Sequence, residues 1–296
     1  MVRRSRLDAE LVRRGLARSR EQAAELVHAG RVRVGGHTAT KPATGVDPGT
    51  EVLVEDDPGG EPAYASRGGH KLAGALDAFG SAGLTPHGRR CLDAGASTGG
   101  FTDVLLRRGA RAVVAVDVGY GQIAWPLRTD PRVTVLDRTN VRDLTPEAIG
   151  GPVDLTVADL AFISLRVVLP ALARCTHSDG DLLPMVKPQF EVGRHRVGAG
   201  GVVRDPELRA AAVLDVAGAA ADLGLGVAGV VASPLPGPAG NVELFLWLRR
   251  DAPPADPAAV RHAVAEQTGP QPVGADPASA GREGREANLR PDGGTP

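Results

Sequence analysis

The sequence predicts an α/β protein, a doubly wound sheet preceded by a small α+β module, on three observations. Apolar β-type runs at 112–116, 133–136, 153–157, 182–186, 227–231 and 242–248 alternate with helix-like segments at 100–108, 164–174 and 206–223. A cluster of breakers, Asp56-Asp57-Pro58-Gly59-Gly60-Glu61-Pro62, separates that alternation from what precedes it. The first 41 residues carry ten Lys and Arg against four Asp and Glu, a local charge of +6 in a chain whose 34 basic and 35 acidic residues cancel to −1. At 296 residues and 42% hydrophobic content the chain is long enough for two domains with separate cores.

Taken in order, Leu7, Leu11 and Val12 recur at helical spacing and Gly15 can close that helix. Ser19-Arg20-Glu21-Gln22 is a capping box that opens a second helix burying Leu26 and Val27 before Gly30. Arg31-Val32-Arg33-Val34 alternates, Gly35-Gly36 turns, and Glu51-Val52-Leu53-Val54 supplies another extended run. The expected division is a basic module over 1–58, a linker over 59–66, and the α/β domain over 67–267. Asp256 and Pro257 suit the start of its last helix, 257–267. Residues 268–296 hold almost nothing apolar and are expected to be a disordered tail.

Composition excludes several classes. Two cysteines, Cys91 and Cys175, cannot build a disulfide framework or a four-cysteine metal site. His37, His87 and His177 stand singly without ligand spacing, so no metal is expected. The N-terminus lacks an apolar segment behind its arginines, and no stretch of about 18 apolar residues occurs, which predicts a soluble cytoplasmic protein.

The chemistry gathers where strands end. Cys91-Leu92-Asp93-Ala94-Gly95-Ala96-Ser97-Thr98-Gly99-Gly100-Phe101 runs from a strand into a helix through a glycine-rich turn, where backbone can approach a ligand and helix N–H groups face it. The spacing departs from the dinucleotide fingerprint, and Asp93 at the strand end would repel a pyrophosphate. A ligand with an ammonium and a hydroxylated ribose suits better, because Asp117 ends the next strand where a carboxylate can accept ribose hydroxyls. Together these describe S-adenosylmethionine. A structural turn with a solvated aspartate is the plain alternative. Asp137-Arg138-Thr139-Asn140 follows the third strand; its side chains, Asn140 among them, either read an adenine edge or cap a turn.

Asp159 closes the fourth strand and Lys187 the fifth, so both should face the ligand crevice of a doubly wound sheet. Lys187 lies between Leu182-Leu183-Pro184-Met185-Val186 and Pro188, an apolar setting that favours a neutral amine and fits a general base, and a nearby Lys71 would push the same way. The alternative is two surface salt bridges, Asp159 with Lys187 and Lys71 with Glu243. Gly193-Arg194-His195-Arg196, continuing to Arg204, is a basic loop that either closes over a polyanion or is simply solvated.

These blocks together resemble the TlyA (haemolysin A) type ribosomal RNA ribose 2′-O-methyltransferases, whose catalytic part is similar to FtsJ-type RNA methyltransferases. Arg6-Leu7-Asp8, Ala17-Arg18-Ser19-Arg20 and Gly30-Arg31-Val32-Arg33-Val34-Gly35-Gly36 resemble an S4 RNA-binding domain. Ser66-Arg67-Gly68-Gly69-His70-Lys71-Leu72, Asp93 to Asp103, Ala158 to Leu165 and Val186-Lys187-Pro188-Gln189-Phe190-Glu191 follow the family's blocks in order, and the resemblance runs from about residue 3 to about 267.

It implies a Rossmann-like class I methyltransferase sheet, a tetrad on Lys71, Asp159, Lys187 and Glu243, and a cofactor pocket on Asp93, Gly95, Gly99 and Asp117, with Ser97 and Thr98 in the turn between. It implies cytidines of 16S rRNA, 23S rRNA or both as targets and rRNA or ribosomal subunits as partners; the chain is further expected to be a monomer with no membrane association. RNA contacts are expected from Arg4, Arg6, Arg18, Arg20, Arg67, Arg194 and Arg196. In the expected mechanism Lys187 assists deprotonation of the 2′-hydroxyl, Asp159 orients it, and Lys71 and Glu243 position the ribose.

Two departures stand out: Pro62-Ala63-Tyr64-Ala65 where the family carries a bulkier hydrophobic pair, and the 268–296 tail. Other classes weighed are a lytic protein, which needs a membrane-inserting segment, a non-catalytic ribosome-binding module, and a pseudouridine synthase, against which the glycine-rich turn argues.

Overall fold

The computed structural model describes residues 4–14, 16–17, 20–47, 49–54 and 64–266. The chain divides into two compact units, residues 1–63 and 64–296. Gly15, Arg18, Ser19, the breaker cluster 56–62 and the tail 268–296, on which expectations were placed, lie outside the described residues. Tyr64–Ser66, read from sequence as the end of a linker, fall in the second unit.

In the first unit β1 (Ser5–Arg6) leads into α1 (Leu7–Arg13), followed by α2 (Arg20–His28), β2 (Val32–Val34), β3 (His37–Thr38), β4 (Gly45–Val46) and β5 (Val52–Val54). The expected pair of extended runs forms an antiparallel ladder, with Val32 opposite Val54 and Val34 opposite Val52, and β3 adds to its other side. Leu7, Leu11, Ala23, Val27, Val32 and Val46 close a core of their own. The two-residue strands β1, β3 and β4 had no signature, because two residues are too few to show alternation.

The second unit runs α3 (Gly68–Gly80), β6 (Arg90–Ala94), α4 (Gly100–Arg107), β7 (Ala112–Val116), α5 (Trp125–Arg128), β8 (Val133–Leu136), β9 (Val153–Ala158), α6 (Leu165–Cys175), β10 (Thr176–Val186), α7 (Pro188–Glu191), α8 (Pro206–Ala221), β11 (Gly226–Ala232), β12 (Leu244–Arg249) and α9 (Pro257–Glu266). The seven strands lie in the order β11-β12-β10-β9-β6-β7-β8. Five are parallel, while β12 runs antiparallel to both neighbours.

Successive strand residues feed opposite faces: Leu92 joins a core with Leu169, Val213 and Val260 of α6, α8 and α9, whereas Cys91 joins one with Leu72, Val104 and Leu105 of α3 and α4. Helices therefore cover both faces, as the alternating pattern predicted. The reversal of β12 matters for the site. Its Leu244 pairs with Val186, so the residues just beyond that pair, Glu243 and Lys187, meet at the carboxyl edge of the parallel strands.

Candidate functional site

The glycine-rich turn is built by close approach. β6 ends on Ala94, and Gly95 follows with φ +88°; a Cβ there would strike the backbone oxygen of Asp159 and come within 3.0 Å of Leu160 Cδ2. Gly99, φ +95°, opens α4 against Ile123 and Leu127 and leaves no room for a side chain. Between them Ser97 takes φ +47°, a left-handed conformation costly for a non-glycine residue. Asp117, just past β7, holds it there: its Oδ2 accepts the Ser97 N–H at 2.8 Å and its Oδ1 the Gly119 N–H at 2.7 Å.

Asp93 lies beneath the turn, fully buried. Its Oδ2 accepts the Thr102 hydroxyl at 2.7 Å, and its Oδ1 has no hydrogen-bond partner among the described residues. Burial pushes this carboxyl up to about 7, the Thr102 hydrogen bond pulls it back in part, and the charges of Asp159 and Asp117 add to the rise.

The four ionisable residues form two pairs. Lys71, in the first turn of α3, donates to Glu243 Oε2 at 2.5 Å; the residues are 7% and 1% exposed. Lys187 Nζ lies 2.5 Å from Asp159 Oδ1, the side chains 12% and 24% exposed. These are the partners of the salt-bridge alternative; that alternative placed them on the surface, which burial overturns for Lys71–Glu243, while Lys187–Asp159 is partly buried. An enclosed ion pair survives only with good geometry, and removing one partner strands the other charge. The apolar run before Lys187 is present, yet the nearest charged neighbour recorded for its amine is a carboxylate rather than Lys71.

A cavity of about 230 Å³ joins these parts, with Lys71, Asp159, Arg67, Gly95, Ser97 and Thr98 among its lining. Glu243 and Lys187 stand behind Lys71 and Asp159 as their ion-pair partners, and Asp93, Gly99 and Asp117 shape the turn from outside the lining. Asn140 is used locally, its Oδ1 accepting the Arg142 N–H at 3.0 Å to cap a short turn, and Asp137 pairs with Arg128 at 2.6 Å. Arg196 is exposed and donates to the Val192 carbonyl at 2.8 Å; the backbone of Arg194–Arg196 makes a 3-10 turn. In the first unit Arg4 pairs with Asp47, and Arg6 and Arg20 converge on Asp8 at 2.8 and 3.0 Å.

Sequence reasoning passed over three residues. Phe162, between Asp159 and α6, is 92% exposed with φ +63°, and its ring sits 5.3 Å from that of Phe190, three residues past Lys187. A single phenylalanine in an irregular loop carries no periodic signal. Glu191 is buried and bonds the start of α6. Tyr64 fills the space left by the absent side chain of Gly69, meets His70 edge-on at 5.0 Å, and lies under the Arg107 guanidinium at 5.1 Å. Where the family resemblance led one to look for a bulkier pair, this single ring anchors the segment to α3 and α4.

The family model described as FtsJ-like methyltransferase matches residues 64–250 and that of the S4 domain residues 5–52. The 16S/23S rRNA (cytidine-2′-O)-methyltransferase TlyA of Mycobacterium tuberculosis is 66% identical over 249 residues, covering 84% of this chain and 91% of that protein. Hemolysin A of Brachyspira hyodysenteriae is 34% identical over 80% of this chain and 97% of its own length. A solved structure described as a hemolysin, from Streptococcus thermophilus, superposes with a TM-score of 0.70 at 38% identity over 90% of this chain and 97% of that one. Despite that name, no helix among the described residues is long and apolar enough to cross a membrane. The chain belongs to the FtsJ-like methyltransferase family, in its TlyA branch, and carries an S4 domain.

Proposed function

We propose that this chain transfers a methyl group from S-adenosylmethionine to the ribose 2′-hydroxyl of a cytidine in ribosomal RNA of the small subunit, the large subunit or both. The observation that carries the reading is one cavity in which Lys71 and Asp159 face the Gly95–Thr98 turn, each paired with a residue of opposite charge. The name borne by the Mycobacterium tuberculosis relative at 66% identity supports cytidine and rRNA as the target.

The residues present fit the cofactor. Gly95 and Gly99 keep the two ends of the turn free of side chains, and the unpartnered Oδ1 of buried Asp93 beneath it leaves an acceptor suited to a cationic ligand. The Gly95–Thr98 turn and Asp117 would hold it. When bound, it supplies a methyl group already activated as a sulfonium. What remains for the protein is alignment and the removal of one proton, and alignment alone can supply up to roughly 7–11 kcal/mol.

Lys187, its amine fixed by Asp159, assists deprotonation by stabilising the negative charge that develops on the 2′-oxygen as the proton passes to solvent; Lys71, steadied by Glu243, positions the sugar hydroxyl. Phe162, tilted against Phe190 beyond Asp159, offers a face to a base drawn out of the RNA. The arginines of the S4 unit, with Arg67 and the 194–196 turn, supply phosphate contacts to a cytoplasmic monomer's rRNA partner.

Labelled methyl transfer to 16S and 23S rRNA, naked and in subunits, tests the whole. Lys187→Ala is expected to lose about 10²–10⁴ in turnover with calorimetric cofactor uptake intact. Near-normal turnover removes Lys187 from its role, and no cofactor uptake by the wild-type chain with RNA present removes the enzymatic reading.

A further inference from the structure

Two segments converge on the reaction centre, one running from Asp159 through Phe162 to α6 and one from Lys187 through Phe190 to Glu191. They are separate in sequence, and Glu191 bridges them. Its Oε1 accepts the Leu165 N–H at 2.7 Å and its Oε2 the Ser164 hydroxyl at 2.5 Å, with the Arg166 guanidinium 3.6 Å away. The first turn of α6 already has a local cap, since Ser164 Oγ accepts the Arg166 N–H at 3.3 Å. The buried carboxylate from α7 is therefore a second, non-local anchor, favourably placed at the positive end of an 11-residue helix.

The loop it anchors needs holding. Phe162 sits in left-handed backbone, which an aromatic residue keeps only where surrounding structure over-determines it, and its side chain is almost wholly exposed. The Phe190 ring faces it, Leu160 and Ile163 on either side pack against the core, and the loop's two ends are tied, Asp159 to Lys187 and Ser164–Leu165 to Glu191. We infer that Glu191 is a positioning residue that clasps the Phe162 loop to the Lys187 segment and so keeps the aromatic pair and the Asp159–Lys187 ion pair in register for RNA; this rests on the methyl-transfer reading above.

The test combines backbone hydrogen exchange with a double-mutant cycle on the full chain. Glu191→Ala is expected to speed exchange of the Leu165 amide by about tenfold or more and to lower kcat on rRNA by about tenfold or more, with cofactor affinity unchanged. Glu191→Gln, whose amide oxygen still accepts the Leu165 N–H, recovers most of both. The Glu191→Ala and Phe162→Ala losses do not multiply in the double variant, because the first acts through the second. A general loss of stability would instead multiply with Phe162→Ala.

Unchanged Leu165 exchange, or fully multiplicative losses, overturns the inference. Should Glu191→Ala not fold, Glu191→Gln and Ser164→Ala carry the same measurements, with a smaller shift in the same direction expected and no shift overturning. If the wild-type chain transfers no methyl group, the proposed function fails, while the exchange comparison still decides whether the clasp exists.

Discussion

In the S4 unit two hidden carboxylates, Asp8 and Glu10, hold exposed arginines, whereas at the methyltransferase site Lys71 and Glu243 are hidden together. Buried Asp8 gathers Arg6 and Arg20, and buried Glu10 gathers Arg13 and Arg14, yet the side chains of Arg6, Arg13 and Arg20 remain more than half exposed. The Arg6 hydrogen bond holds Asp8 well below the usual carboxylate range, and that from Arg13 brings Glu10 down to about 2. Both stay ionised, so each fixes guanidiniums in place without removing them from solvent, where they can attract a polyanion over distance. Lys71 and Glu243 are enclosed instead, and their charges set local geometry. On the proposed reading, the same chemistry recruits in one unit and positions in the other.

The sharpest way to break this comparison is to remove one enclosed partner. Glu243→Ala should cost about 3–5 kcal/mol of unfolding free energy in denaturant titration, because Lys71 is left buried without a counter-charge, and turnover should fall with it. Asp47→Ala, which removes the partner of exposed Arg4, should leave the transition in place. Equal costs for the two would erase the distinction. A smaller effect is expected on the recruiting side: Arg6→Ala and Arg20→Ala should each reduce the slope of log affinity for rRNA against log salt by about 1, read by binding titrations at several ionic strengths. Slopes that stay put would move the electrostatic footprint off this unit.

A further effect is on pH. Asp93 titrates near 7 when folded and at its ordinary value of 3.8 when unfolded. Between those values the unfolded chain loses the proton first, so the contribution of Asp93 to stability is present below 3.8 and falls as pH rises to about 7. Asp93→Asn should flatten that part of a melting-temperature series, and an unaltered profile would show that Asp93 ionises as freely in the fold as outside it.

Much of the architecture was legible. The six apolar runs, with the strand read before the glycine-rich turn, foretold the seven strands of the sheet and their covering helices within a residue or two at most ends, because buried strands read as continuous apolar stretches. The first strand residues of β10 were missed: Thr176–Gly180 is polar and irregular, and pairs only through a register shift. Asp117 was placed correctly at a strand end, but it is already occupied in stapling Ser97 and Gly119, a use no spacing reveals. Asn140 turned to its turn-capping alternative, since a side-chain amide two residues before a free N–H satisfies it at once.

By itself the sequence determined the strand and helix periods, the glycine-rich turn between β6 and α4, and the basic character of the first unit, because these depend on neighbours along the chain. Only the tertiary structure decided that β12 runs backwards, setting Glu243 against Lys71, and that β9 and β10 lie side by side, setting Asp159 against Lys187. Strand order and direction come from how whole elements bury their faces against one another. A charge pair spanning 172 positions is settled by that packing and by nothing local to either residue.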